Sequence, residues 1–151
     1  MGLILNIETA TRVCSVSLGK NGKLFSFKET KVDRSHAASI TVFIEQLLSE
    51  AGLGPKDLDA IAVSKGPGSY TGLRIGVSTA KGLCYGLNIP LIAINSLESM
   101  AQGYLDRSNA VNMLLCPMID ARRMEVYTAI YDSSLKIIQP TSAEIIDKNS
   151  F

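Results

Sequence analysis

Residues 64–87 read SKGPGSYTGLRIGVSTAKGLCYGL, a stretch with six glycines in 24 positions. After Ser69 the pattern of apolar residues predicts a helix, although four of the six glycines fall within it. These four are Gly72, Gly76, Gly82 and Gly86. A glycine inside a helix costs about 1 kcal/mol relative to alanine. The stretch therefore raises the question whether its glycines serve a phosphate at the loop or a surface packed closely against the helix.

The loop does not match the two common phosphate-binding motifs. A P-loop has Gly-Lys-Ser/Thr directly before its helix, whereas Lys65 precedes the first glycine here. The dinucleotide-binding fingerprint is G-x-G-x-x-G, whereas Gly66, Gly68 and Gly72 follow the spacing G-x-G-x-x-x-G. Backbone amides at the start of the helix can still hold an anion. An anion site therefore stays open as an alternative.

Helical geometry gives the glycines a packing role. At about 100° per residue, small residues form one stripe on the helix and a second stripe on roughly the opposite side. The first stripe is Gly72, Gly76 and Ala80, and the second is Ser78, Gly82 and Gly86. The first allows close approach to the chain's own sheet, and the second allows close approach of another helix. That helix is either residues 36–51 of this chain or a helix of another chain.

The remaining sequence predicts an α/β fold. Alternating or apolar runs predict strands at residues 3–8, 13–18, 24–29, 60–64 and 90–94. Further helices are predicted at residues 36–51, with Asp33 or Ser35 as the N-cap, and after a cap at Ser96. Three antiparallel strands followed by two βα crossovers make a mixed sheet in the order βββαβαβ, with helices packed on it.

A second predicted hairpin has the plan of the first, and the alternative is the likeness that any two hairpins share. Leu114 to Asp120 predicts an apolar strand that ends in an acid, and Met124 to Tyr131 predicts the return strand. Glu8 and Asp120 hold equivalent places in the two hairpins. Leu135 to Ile138 predicts a third strand, with no helix after it. We therefore expect two related halves, residues 1–109 and 110–151, of which the second is incomplete.

Composition limits the classes of function. The chain is 46% hydrophobic and 19% charged with a net charge of +1, which favours a globular protein that does not bind nucleic acid unaided. Its three cysteines lie in apolar stretches and are expected to be buried free thiols of a reducing cytosol: Cys14, Cys84 and Cys116. The start lacks the basic region of a signal peptide, and no apolar run reaches membrane-spanning length. We expect a cytoplasmic protein without membrane contact.

Three blocks of sequence together resemble the TsaB (YeaZ) family. They are Glu8-Thr9-Ala10-Thr11, then Gly66-Pro67-Gly68-Ser69-Tyr70-Thr71-Gly72-Leu73-Arg74-Ile75-Gly76, and Asp120-Ala121-Arg122-Arg123-x-Glu125-Val126-Tyr127. The resemblance implies the duplicated actin/hexokinase/Hsp70-like (ASKHA) fold. It also implies an accessory, non-catalytic role in making N6-threonylcarbamoyladenosine at tRNA position 37. Family members are longer than this chain, in agreement with an incomplete second half.

The resemblance also implies partners. The expected ones are a catalytic TsaD-like paralogue, a TsaE-like ATPase and, as a further option, a second copy of this chain. We expect tRNA to be bound only through the complex. We expect no cofactor on this chain alone, with ATP or ADP an option at the partner or at a shared interface.

Two sets of candidate residues follow. Nucleotide-binding relatives of the fold hold a metal–phosphate with an aspartate after the first strand, where this chain has Glu8. The candidate set for weak or vestigial nucleotide binding is Glu8, Thr9, Thr11, Gly66, Gly68, Ser69 and Asp120. For Thr9 and Thr11 the favoured interpretation is that they are turn residues. The candidate partner interface is His36, Ser39, Ile40, Phe43, Leu73, Arg74, Val77, Ser78, Gly82 and Gly86.

Metal chemistry is not expected. The catalytic paralogue carries His-x-x-x-His on the helix that corresponds to residues 36–51. Here the second position is Ile40, and His36 is the only histidine of the chain. One histidine does not make a metal site. We therefore predict no metal and no catalytic residue. An actin-like or sugar-kinase-like ATP-binding enzyme remains the alternative, and a metalloprotease, after the older glycoprotease name of the superfamily, is a more distant one.

Overall fold

The fold is that of a computed structural model of the chain. It describes residues 2–30, 36–108, 112–148 and 150, without the side chains of residues 36–38. The predicted caps Asp33 and Ser35 lie outside these residues, as does the predicted domain boundary at residues 109 and 110, which stays a prediction. The chain forms two compact units, a first unit of Met1–Lys65 with Ser69–Ile94 and a second unit of Gly66–Gly68 with Asn95–Phe151.

The elements of the first unit follow the predicted order. They are β1 (Leu3–Glu8), β2 (Cys14–Lys20), β3 (Lys23–Thr30), α1 (His36–Glu50), β4 (Ala60–Gly66), α2 (Tyr70–Leu87) and β5 (Leu91–Asn95). The sheet has the order β3-β2-β1-β4-β5. β2 is antiparallel to both β1 and β3, and β4 is parallel to β1. The predicted mixed sheet is therefore confirmed.

Alternation along the strands decides where the core of the first unit lies. In β1, Leu3, Leu5 and Ile7 are buried, whereas the residues between them are partly exposed. The buried side chains pack with those of α1 and α2, including Leu47 and Ala80. Burying this apolar surface is the main favourable contribution to folding of the unit.

The second unit is built around one central strand. Its elements are α3 (Ser96–Leu105), β6 (Leu114–Leu115), β7 (Met118–Arg122), β8 (Glu125–Asp132) and β9 (Ile137–Ile145). β8 is antiparallel to β6, β7 and β9. A separate core holds the unit together, formed by Leu97, Ala101, Leu115, Ile119, Ala129 and Tyr131.

Two strand predictions in the second unit are wrong in their bounds. The strand predicted over Leu114–Asp120 is two strands, β6 and β7, separated at Pro117, which has no N–H to donate to a ladder. The strand predicted from Leu135 begins at Ile137 and extends to Ile145. Leu135 itself has a φ of 60° and lies in the connection before the strand.

Two single-residue predictions also need correction. The N-cap of α3 is Asn95 and not Ser96, because the Asn95 side-chain oxygen accepts hydrogen bonds from the N–H groups of Leu97 and Glu98 at 2.8 and 3.3 Å. Cys14 and Cys84 are buried free thiols as predicted, but Cys116 is exposed. Over the described ranges, none of the helices has both the length and the apolar character needed to cross a membrane.

Candidate functional site

Helix α2 begins at a fixed loop. The Ser69 side chain caps it by accepting the Gly72 N–H at 3.2 Å, and the Ser69 N–H donates to the carbonyl of Ala10 at 2.6 Å. Gly66 and Gly68 have φ values of 105° and 156°, which side-chain-bearing residues rarely adopt. The backbone conformation alone therefore accounts for glycine at both positions, and no bound ligand is needed to explain it.

The inner face of α2 touches the turn that follows β1. A Cβ at Gly72 would overlap the backbone carbonyl oxygen of Thr9, and a Cβ at Gly76 would overlap Thr9 Oγ1. Thr9 is fully buried, and its Oγ1 has no hydrogen-bond partner within the described residues. Gly72 and Gly76 therefore allow the helix to approach this turn more closely than any other residue would permit. The first stripe predicts close approach to the chain's own sheet, and the observed close contact is with the turn that follows strand β1 of that sheet.

Glu8 is also engaged in the turn. Its Oε1 accepts the Ala10 N–H at 2.7 Å, and its Oε2 accepts a hydrogen bond from the Ser64 hydroxyl. A neighbouring hydroxyl, Thr11 Oγ1, accepts the Val13 N–H at 3.3 Å. The structure thus brings Glu8, Thr9 and Ser69 together, but it uses both carboxylate oxygens to hold β1, β4 and the turn in place.

The other nucleotide candidates lie in the second unit. Gly66 and Gly68 belong to it, as does Asp120, whose Oδ1 accepts the Arg122 N–H at 2.7 Å. Asp120 therefore closes a local turn in the way that Glu8 does in the first unit. This agrees with the equivalence of the two acids in sequence. Nucleotide binding by the seven candidate residues stays a prediction.

The outer face of α2 is open. Ser78, Gly82 and Gly86 are exposed, and a Cβ at Gly82 or Gly86 would meet no atom within 4 Å. Tyr85 lies on the same face and is 92% exposed. The predictions missed Tyr85, although its helical position next to Ser78 and Gly82 was the signal that could have found it. The Arg74 guanidinium covers the ring of Tyr70, 4.2 Å from its centroid.

Helix α1 lies beside α2 but leaves this outer stripe uncovered. Leu83 of α2 and side chains of α1 and the following loop line a groove of about 360 Å³. The lining residues are Thr41, Ile44, Glu45, Leu48, Ser49, Leu53, Pro55 and Leu83. Of the two partners considered for the outer stripe, α1 of this chain is therefore excluded. Contact of the outer stripe with a helix of another chain stays a prediction.

The other predicted interface residues differ in exposure. Ile40 is fully buried in the core, so including it in a surface was wrong. Phe43 and Val77 are partly buried and pack against that core, and Ser39 and Leu73 are also partly buried. Arg74 is exposed, and the side chain of His36 lies outside the described residues. The accessible part of the candidate interface is thus the outer face of α2.

Metal-binding and nucleophilic groups are sparse in the described part of the chain. No three His, Cys, Asp or Glu side chains gather there in a way that could hold a metal ion. Burial raises the pKa of the Cys14 thiol, with a further rise from the negative charge of Glu8, and burial also raises the pKa of Cys84. Because the thiolate is the reactive form, neither thiol is suited to act as a nucleophile.

Comparison with known proteins assigns the family. Residues 29–150 match the family model described as TsaD, tRNA N6-adenosine threonylcarbamoyltransferase. The Escherichia coli K12 protein named tRNA threonylcarbamoyladenosine biosynthesis protein TsaB is 40% identical over 128 residues, covering 85% of this chain and 54% of that protein. The solved structure of YeaZ from Pseudomonas aeruginosa superimposes with a TM-score of 0.89 at 29% identity, covering 100% of this chain and 71% of that one.

A more distant structure supports the fold alone. The ethanolamine utilization protein EutJ from Carboxydothermus hydrogenoformans matches with a TM-score of 0.52 at 13% identity, covering 96% of this chain and 51% of that one. The mixed sheet and its helices thus have the fold of the actin/hexokinase/Hsp70-like class. Within that class, the chain belongs to the TsaB/YeaZ family. It spans about half the length of the curated relatives it matches.

Proposed function

We propose that this protein acts as a non-catalytic accessory subunit in the synthesis of N6-threonylcarbamoyladenosine at tRNA adenosine 37. It pairs with a TsaD-like catalytic paralogue, and a TsaE-like ATPase joins the assembly. The proposal extends to this chain the biosynthetic role for which its TsaB relatives are named.

The observation that carries the pairing is the open stripe on α2. Gly82 and Gly86 lower helix propensity by about 2 kcal/mol together, and no atom of the described chain lies close enough to make use of the missing side chains. Tyr85 stands beside them almost wholly in solvent. A smooth strip flanked by an exposed aromatic suits a closely packed helix of a partner, since aromatic residues are enriched in protein interfaces.

The contacts of Glu8 and the burial of Ile40 support an accessory role. In nucleotide-binding relatives of the fold the acid after the first strand serves a metal–phosphate, whereas both Glu8 oxygens here accept hydrogen bonds from Ala10 and Ser64. Ile40 stands where a second histidine ligand would be needed and is buried in the core. These contacts favour a structural use of the residues that an ATP-binding enzyme of this fold would employ.

A reconstitution experiment tests this function. The protein, the TsaD-like protein and the TsaE-like ATPase from the same cell are combined with tRNA, threonylcarbamoyl adenylate and ATP, and modified adenosine is measured with each protein left out in turn. We expect a stable complex of this protein with the TsaD-like chain by light scattering, and modification that requires both. Modification by this protein alone, or without it, would contradict the proposal.

Nucleic acid binding provides a second measurement. With a net charge of +1, the protein releases few counterions on contact with RNA, so we expect weak tRNA binding by the protein alone and tighter binding only with the TsaD-like chain. Filter binding at physiological salt measures both. Sub-micromolar binding by this protein alone would show that it contacts tRNA independently.

A further inference from the structure

The hairpin between β7 and β8 has an unusual backbone. Arg122, Arg123 and Met124 have φ values of 71°, 56° and 60°, so three consecutive residues with large side chains are left-handed. This conformation is unfavourable for residues with a Cβ, and it is ordinarily filled by glycine or asparagine. Strained backbone of this kind concentrates at functional sites, where the surrounding structure holds it in place.

The base of this hairpin is held by hydrogen bonds. Asp120 Oδ1 accepts the Arg122 N–H at 2.7 Å, and the Met124 carbonyl accepts the Ile146 N–H at 2.7 Å. Arg122 and Glu125 are also backbone register partners where β7 and β8 meet. The backbone of the turn is therefore held from both sides, which fixes the direction in which each of its three side chains leaves the backbone.

The presented side chains combine charge with apolar surface. Arg122 and Arg123 are exposed, and within the described part of the chain neither guanidinium forms an ion pair. Met124 is 71% exposed, and Ile145, 73% exposed, is the register partner of the adjacent Glu125. We call Arg122, Arg123, Met124 and Ile145 the hairpin patch.

We propose that the hairpin patch is a docking surface for an acidic protein surface of the complex, in which carboxylates pair with Arg122 and Arg123 and an apolar depression receives Met124. Arginine and methionine are enriched in protein interfaces, and an arginine pairs bidentately with a carboxylate. RNA phosphates would bind the arginines but would make no favourable contact with the apolar side chains of Met124 and Ile145.

The inference rests on the proposed function, since the partner is a protein of that assembly. Its test titrates the protein and its variants against the TsaD-like chain and against the TsaE-like ATPase with that chain present. Arg123→Gly removes one guanidinium and relieves one left-handed residue, so we expect a melting temperature a few degrees higher together with at least tenfold weaker binding in one of the titrations. Arg123→Lys keeps the charge without the bidentate geometry, so its binding affinity should lie between those of the parent and Arg123→Gly. Lys148→Ala removes another exposed cation of the unit and should bind as the parent does.

The outcomes separate the two proposals. No binding by the parent protein in either titration overturns the proposed function and this inference with it. Parent binding that Arg122→Ala, Arg123→Gly and Met124→Ala leave unchanged overturns the inference alone. Unchanged protein assembly with weaker tRNA binding by the complex would assign the hairpin patch to RNA and also overturn it. A lower melting temperature for Arg123→Gly would show that the backbone there is not under strain.

Discussion

Both faces of helix α2 contain a pair of glycines, but the surroundings of the two pairs differ. On the inner face, Gly72 and Gly76 lie against Thr9, where a Cβ would overlap existing atoms. On the outer face, a Cβ added at Gly82 or Gly86 would meet open space. Each glycine lowers helix propensity by a similar amount, about 1 kcal/mol. The inner pair is therefore explained by packing within the unit, whereas the outer pair has no packing partner among the described residues.

The largest effect is expected on the inner face at Gly72. In Gly72→Ala the new Cβ meets the backbone carbonyl of Thr9, which cannot rotate away as a side chain can. The helix or the turn must move, and we expect a loss of about 3 kcal/mol in the free energy of unfolding, despite the gain of about 1 kcal/mol in propensity. Urea unfolding followed by circular dichroism measures it. An unchanged midpoint would show that the close approach has no energetic importance.

A smaller loss is expected at Gly76, where the obstacle is a side chain. Gly76→Ala places its Cβ against Thr9 Oγ1, and we expect a loss of about 1–3 kcal/mol in the free energy of unfolding. Because that hydroxyl has no hydrogen-bond partner among the described residues, Thr9→Ala can make room without breaking a bond. The double variant Thr9→Ala/Gly76→Ala should therefore be more stable than Gly76→Ala alone. Additive losses in this double-mutant cycle would show that the two residues do not interact.

The outer face should respond through association. Gly82→Leu adds a large side chain in open space and improves helix propensity, so we expect a melting temperature equal to or slightly above the parent's. Complex formation with the TsaD-like chain, or with a second copy, should fail because the smooth stripe is filled. Light scattering and thermal melting measure the two effects.

A control for this variant is Ser99→Leu, which introduces the same side chain at an exposed position of α3. It should leave both measurements near those of the parent. A Gly82→Leu protein that melts normally and associates normally would remove the outer stripe from the interface. One that loses stability would mean that the stripe is packed within this chain.

The order of elements in the first unit was predictable because each strand and helix carries its own periodicity, as in the alternation of Leu3, Leu5 and Ile7. The inner stripe was predictable as a surface, but its contact was not, since Thr9 lies far from the helix in sequence. Local competition also misled the prediction, because Asn95 and Ser96 are both good caps and sit side by side. The exposure of Tyr85 and the burial of Ile40 depend on which neighbours cover them, which one sequence does not state.

The smallest effect, and the sharpest contrast, is the same substitution on the opposite face. Gly86→Ala changes glycine to alanine on the same helix as Gly72→Ala, with the same gain of about 1 kcal/mol in helix propensity. At Gly86 the Cβ meets nothing, so the gain should be observed almost in full and the urea midpoint should rise. A single methyl group narrows the stripe much less than a leucine does, so association should weaken by less than in Gly82→Leu. If Gly86→Ala instead destabilises the free protein, the outer face is packed against something in this chain. Both faces would then be packed within this chain, and they would differ only in the inner contact with Thr9.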